Sequence, residues 1–194
     1  MARAGSVLLC LLGAFGVAGT AWSGAGAFHV DPELTSVRFT VLELGFSKQE
    51  GRLGCTSGAI VLDERHKVES IDLEIETASV DTGWSLRDAF LRSEVMFDAA
   101  RFPRLHFHST GFRYEGTRLT GVDGEVTLRD VTRRVHFDVT RLECVIRPGD
   151  EKESCGAEVS GRISRAAFGM GFAYPLIGDE VALEFVVKAF RPLP

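Results

Sequence analysis

His106 and His108 stand two apart in RLHFHST, and with His136 they offer nitrogen ligands for a metal. Residues i and i+2 of a strand share a face. That face alternates with the apolar Leu105 and Phe107, so it is the wet one. No carboxylate is evident in the sequence to orient the imidazoles from behind. These histidines read as solvated surface groups, and no metal site is assigned. Arg87, Asp88 and Arg92 in SLRDAFLR are the next candidates for chemistry. They read as an ion-pair network, with Asp81 close by, that fixes a helix to the rest of the fold. Serine hydrolase chemistry would need an elbow of the GxSxG type, which is absent. Phosphate cradles and dinucleotide fingerprints are absent as well. No catalytic residue is assigned, and the chain does not read as an enzyme.

Four cysteines remain to be placed. Cys10 lies inside an apolar N-terminal run that continues past it. Cys144 and Cys155 flank the polar loop around Pro148-Gly149-Asp150, and both neighbours read as strands. A disulfide across that hairpin suits an exported protein. Cys55, in a Gly-rich turn, is then left over, as a reactive thiol or a buried inert one.

The elements that carry these residues have a period of two. In SIDLEIETAS, Ile71, Leu73 and Ile75 alternate with Asp72, Glu74 and Glu76. Such a strand has one dry and one wet side, typical of antiparallel sheet. Val37, Phe39 and Val41 repeat the pattern, as do Leu105 and Phe107, Val126 and Leu128, and Val135, Phe137 and Val139. So do Val159 and Ile163, and Val181, Leu183, Phe185 and Val187. With GAIVLDE this predicts about eight strands, separated by turns such as Tyr114-Glu115-Gly116 and Asp123-Gly124. Eight strands with one apolar face either stack as two sheets or close into a barrel, and a closed barrel of that size can hold one small ligand. Alternation alone leaves both open.

One stretch breaks the period. SVDTGWSLRDAFLRSEVMFDAARFPRLHF gathers Trp84, Leu86, Phe90, Leu91, Val95, Met96, Phe97 and Phe102 at helix-like spacing. Ser85 followed by Asp88 predicts a capped helix start, with Leu86, Phe90 and Leu91 on one face. Pro103 returns the chain to extended structure before Leu105. The excursion can be a plug that completes a core or a lid over a cavity.

The chain has 194 residues and a formal net charge of −5. No basic stripe is present, so nucleic acid is not an expected partner. Residues 1–27 have the layout of a secretory leader, with Arg3, an apolar run from Val7 to about Val17, and Ala25-Gly26-Ala27 as a cleavage site. The run is shorter than the roughly 20 residues a spanning helix needs. The expected mature protein is therefore one soluble domain, 28–194, periplasmic or secreted after cleavage near Ala27.

SVDTGWSLRDAFLRSEVMFDAARFPRLHFHST resembles the signature of the YceI-like family, with its SVDT, RD, LRS, F-D pair and FP. GEVTLRDVTRRVHF resembles that family's next hairpin, and ISRAAFGMG with IGDEVALEF its C-terminal segment. The resemblance implies an all-β fold, an elongated, eight-stranded antiparallel barrel like a lipocalin's, with the helical excursion closing or lining it. It also implies an apolar tunnel for a polyisoprenoid chain, such as a quinone tail or polyprenyl lipid. A long tail gains about 0.8 kcal/mol per buried CH₂ without any charged anchor.

On that reading the tunnel is lined by Phe39, Val41, Ile71, Leu73, Ile75, Leu105, Phe107, Val126, Leu128, Phe137, Val139 and Phe185. Trp84 and Phe90 of the excursion join them, with Phe168 and the adaptable Met170. The first strand departs from the family: FTVLELG carries Glu43 where the family commonly has His. Glu43 shares the face of Phe39 and Val41. Inside an apolar cavity its carboxyl would be pushed toward the neutral form and could donate to a headgroup; at the rim it would be solvated or paired with an arginine. No cofactor is expected beyond a bound isoprenoid or quinone-type lipid, and transient contact with a membrane or a membrane quinone protein is the expected partnership. Two other readings stay open: an enzyme of isoprenoid metabolism or stress response using Glu43, and a ligand-free structural or interaction barrel.

Overall fold

The computed structural model describes residues 26–63, 65, 67–146, 148–149 and 151–193, with Cys55 and Thr56 as backbone only. The Cys55 thiol and nearly all of the expected leader lie outside the described residues.

Nine strands form one antiparallel sheet: β1 (Ala27–Val30), β2 (Ser36–Glu43), β3 (Ser47–Leu62), β4 (Val68–Glu76), β5 (Arg104–Glu115), β6 (Arg118–Leu128), β7 (Val131–Ile146), β8 (Lys152–Ser164) and β9 (Ile177–Pro192). The ring closes because β3 pairs with both β2 and β4, while β9 pairs with both β8 and β2. β1 was not expected. It fills the gap that β2 leaves between β3 and β9, with Phe28 opposite Ile60 and Val30 opposite Ala189. β1 and β2 are thus two halves of one barrel stave, and the perimeter is eight strands wide.

Asp123-Gly124, expected as a turn, lies inside β6. The glycine is there for packing: a Cβ would collide with the Phe107 ring. Gly161 opposes Phe137 in the ladder and yields the same kind of space to its ring. Phe107, Phe137 and Phe185 form an aromatic chain, at 5.7 Å and then 5.0 Å between centroids. Each large ring inside a narrow barrel needs a small neighbour, so glycine here marks a core contact and not a bend.

Two structures cover the same end of the barrel. One is the excursion from Thr77 to Pro103, with a 3-10 turn at Thr77–Ser79 and the α-helix α1 (Ser85–Arg92). The other is the β8–β9 connection, which contains a 3-10 turn at Ala166–Phe168. The excursion is clasped at its base: Thr77 donates from its N–H to Pro103 O at 3.0 Å and from Oγ1 to Phe102 O at 2.7 Å. α1 begins differently from the expectation. Trp84 is the N-cap residue and Ser85 makes no cap bond, because Asp88 accepts instead from Thr82 N–H (2.8 Å) and Oγ1 (2.5 Å) in the preceding loop. Asp88 is buried in consequence, while Leu86, expected on the inner face, is 70% exposed.

Candidate functional site

Inside the barrel lies a cavity of about 410 Å³, within the range of roughly 300–1,000 Å³ typical of small-molecule sites. Its wall is built from the dry face of every long strand. Phe39 and Val41 come from β2; Ile71, Leu73 and Ile75 from β4; Leu105 and Phe107 from β5; Val126 and Leu128 from β6. Phe137 and Val139 come from β7 and Phe185 from β9. The excursion adds Trp84, Phe90, Leu91, Met96 and Phe97, and the β8–β9 connection adds Met170 and Phe172. Phe90 and Phe172 touch, with centroids 5.0 Å apart, where the two covers meet.

Phe168 is the exception among the expected lining residues. It is 2% exposed and packs in the core beside the cavity without reaching its wall. Sequence reading also missed wall residues on β3, such as Leu53 and Ile60, because Gly and polar residues interrupt the alternation of that strand.

Polar groups gather at one end. Glu43, Gln49, Thr82 and Arg87 line the mouth. Glu43 is half-buried at the end of β2 and accepts from Gln49 Nε2 at 2.9 Å. Among the described residues no arginine bonds it directly; Gln49 Oε1 in turn accepts from Arg87 Nη1. Arg87 donates from Nε to Thr82 Oγ1 (2.9 Å) and from Nη2 to Thr82 O (3.0 Å). Its guanidinium carbon lies 5.7 Å from the centre of the Trp84 ring.

Where an ion-pair network was expected on α1, the hydrogen bonds found among the described residues run from Arg87 and Asp88 to Gln49 and Thr82, and from Arg92 to the backbone. Arg92 donates to Ala78 O at 2.8 Å and to Val80 O at 2.7 Å. Asp81 pairs with Arg52 of β3, at 2.6 Å. The Gly83 N–H and the Arg52 guanidinium hold the Asp81 carboxyl below its usual range. Carbonyl oxygens left over at turns are fixed acceptors, and arginine reaches several at once. Arg165, which sequence reading did not single out, does the same beneath the mouth. Only 4% exposed, it donates to Gly178 O at 2.8 Å, to Ile177 O at 2.7 Å and to Met170 O. Burial pulls its pKa down.

The opposite end is closed. Phe28 is 1% exposed beneath the Arg191 guanidinium, 4.8 Å from the ring centre. Arg191 also pairs with Glu153 at 2.9 Å. Cys144 and Cys155, directly paired on β7 and β8, are joined by the expected disulfide, and Cys155 lines the cavity.

The histidines lie outside, and each has the carboxylate that sequence reading failed to find. His108 meets Asp72 at 2.5 Å and His136 meets Asp123 at 2.7 Å, while His106 lies 3.5 Å from Glu74. The partners sit on neighbouring strands, directly opposite in the ladder, so only the register brings them together. The His136 and Arg113 side chains hold Asp123 below its usual carboxylate range.

A closed antiparallel barrel with one apolar cavity and a polar mouth has the architecture of a ligand-holding barrel. The model of the YceI-like domain matches residues 28–189, and the chain belongs to the YceI-like family. Protein YceI of Salmonella arizonae is 31% identical over 170 residues, which cover 86% of this chain and 88% of that protein. Among solved structures, the Campylobacter jejuni YceI protein superposes with a TM-score of 0.65 at 22% identity, covering 77% of this chain and 89% of that one. A polyisoprenoid binding domain from Saccharophagus degradans superposes with a TM-score of 0.60 at 16% identity, covering 87% and 99%. The last two similarities establish a shared fold.

Proposed function

We infer that the protein is an exported carrier or store for a lipid with a long apolar tail, of the polyisoprenoid or quinone type, held in the barrel cavity. The observation that carries this reading is the segregation of polarity: an apolar wall runs the length of the barrel, and the hydrogen-bonding side chains Glu43, Gln49, Thr82 and Arg87 cluster at its mouth. A tail of CH₂ and CH₃ groups needs only a dry, roomy wall, gaining about 0.8 kcal/mol per buried CH₂. A small polar head needs donors and acceptors where the tail ends, and the mouth offers both. The Saccharophagus degradans domain, a polyisoprenoid binding domain of the same fold, supports the choice of ligand class. The leader-like residues 1–27 and the Cys144–Cys155 bond support export into an oxidising compartment such as the periplasm. Binding is preferred to catalysis because the cavity wall is almost wholly apolar and the related fold from Saccharophagus degradans is a binding domain. A purely structural barrel would be filled by its own side chains, and this one is not.

Native mass spectrometry of the exported protein, followed by organic extraction, tests the reading. A stoichiometric isoprenoid lipid is the expected result. A bare protein that also refuses added quinone, followed through Trp84 emission, would sink it.

A further inference from the structure

Large apolar side chains in contact with water are concentrated at the mouth. Leu44 and Phe46 on the β2–β3 turn are 57% and 78% exposed, Trp84 and Leu86 at the start of α1 are 56% and 70%, and Tyr174 and Leu176 in the β8–β9 connection are 66% and 59%. The closed end has only Leu34 and the pair Val145 and Ile146 among its described residues.

Two of the three mouth segments are free of charge: LGFS (44–47) and MGFAYPLIG (170–178) contain no Asp, Glu, Lys or Arg. They are also joined into one platform. Leu44 N–H donates to Leu176 O at 2.7 Å, and Ile177 N–H to Ala173 O at 3.0 Å. Leu44 and Ala173 hold left-handed φ values of 53° and 57°, which residues with a Cβ adopt only where their surroundings impose it. The platform therefore has a set shape, with its side chains facing water.

A concentration of exposed apolar groups marks a surface that something covers. Continuity with the cavity selects what that is. Trp84 and Phe172 are both exposed at the mouth and part of the cavity wall, so whatever covers the mouth meets whatever enters the barrel. A long-tailed lipid resides in bilayers, and carrying its tail through water carries a penalty for every CH₂ exposed. Tyrosine and aliphatic groups on two segments free of charge, with tryptophan beside them, fit a neutral bilayer interface.

We propose that this apolar crown docks the mouth of the barrel on a neutral lipid bilayer, so that the guest passes between membrane and cavity without entering water. The proposal rests on the lipid-binding reading above. Flotation with phosphatidylcholine vesicles tests it, using the protein purified as the cell exports it and its Phe46→Ser/Leu176→Ser variant. Neither residue lines the cavity, and both are more than half exposed, so the variant keeps the fold. The wild type is expected to float, with Trp84 emission shifted to the blue and quenched by lipids brominated in their acyl chains. The variant's partition coefficient is expected to fall about tenfold or more, with its uptake of a long-chain quinone from detergent unchanged. A wild type that stays at the bottom of the gradient, or a variant that partitions like the wild type with Trp84 unquenched, overturns the proposal. A dimer in sedimentation equilibrium that the same two substitutions dissolve also overturns it, assigning the face to a second copy. Failure of the underlying lipid-binding reading looks different: neither protein would take up quinone from detergent, whatever the vesicles do.

Discussion

The two ends of the barrel are closed with different materials. At the floor, β1 drives Phe28 into the core, Arg191 and Glu153 cover it, and the Cys144–Cys155 bond ties the adjoining hairpin. At the mouth, the cover is a short helix and two loops, held by the Phe90–Phe172 contact and by arginine and threonine bonds to backbone oxygens. Apolar burial and a covalent link resist local opening, whereas a lattice of partly solvated hydrogen bonds can be exchanged for water at small net cost. The difference predicts that the mouth opens more readily than the floor while the walls stand. The proposed carrier would need that asymmetry, because a guest must enter without unfolding the container.

The largest effect is expected at the floor. Phe28→Ala should lower the unfolding free energy by about 3–5 kcal/mol, since it leaves a cavity under a well-packed end; a denaturant titration checks this. A loss below about 1 kcal/mol would mean the floor is as soft as the mouth. Next comes the disulfide, whose cysteines are 11 residues apart. Replacing both with serine should cost about 2–3 kcal/mol by releasing loop entropy in the unfolded chain, read by the same titration.

Thr82→Val sharpens the other side of the comparison. It removes the hydroxyl that donates to Asp88 and accepts from Arg87, both in the clasp at the mouth. The expected stability loss is only about 1–2 kcal/mol. Guest release, followed by Trp84 emission after dilution into vesicles, should speed up severalfold. A release rate equal to wild type would show that this clasp does not gate the cavity.

The walls were readable in the sequence because a period of two is imposed by the strand itself: Ile71, Leu73 and Ile75 point inward on any closed barrel made from that pattern. The ends were less legible, for physical reasons that differ. β1 is four residues long, too short to establish a period, and its place depends on where β2 begins. The helix was recognisable, but its orientation was not. Thr82 captured Asp88 and turned Leu86 to solvent, a choice made by tertiary contacts and not by spacing. Gly124 looked like a turn because sequence alone does not reveal the ring of Phe107 lying over it. The carboxylates beside His108 and His136 were invisible for a similar reason, since cross-strand register decides them. Arg165 gave no signal beyond its place in a motif, because its partners are backbone oxygens that carry no side-chain identity.

Acid should loosen the mouth through Asp179, and this is the smallest effect expected. The Ser164 hydroxyl, at 2.6 Å, and the Ala166 N–H, at 2.8 Å, hold its carboxyl below the usual range, with Arg165 nearby. A carboxyl whose pKa is depressed in the folded state contributes its full stability above its unfolded value of about 3.9. That contribution is lost as pH falls through the lower folded value. The group is half-exposed, so global unfolding should register little. The connection it anchors covers the mouth, however, and guest release should accelerate in acid before the barrel melts. Asp179→Asn would remove part of that acid limb and raise the rate of release at neutral pH. If the variant and the wild type show the same release profile from pH 7 down to about pH 3, Asp179 is not part of the latch, and the asymmetry between the two ends rests on the hydrogen bonds of Thr82, Arg92 and Arg165.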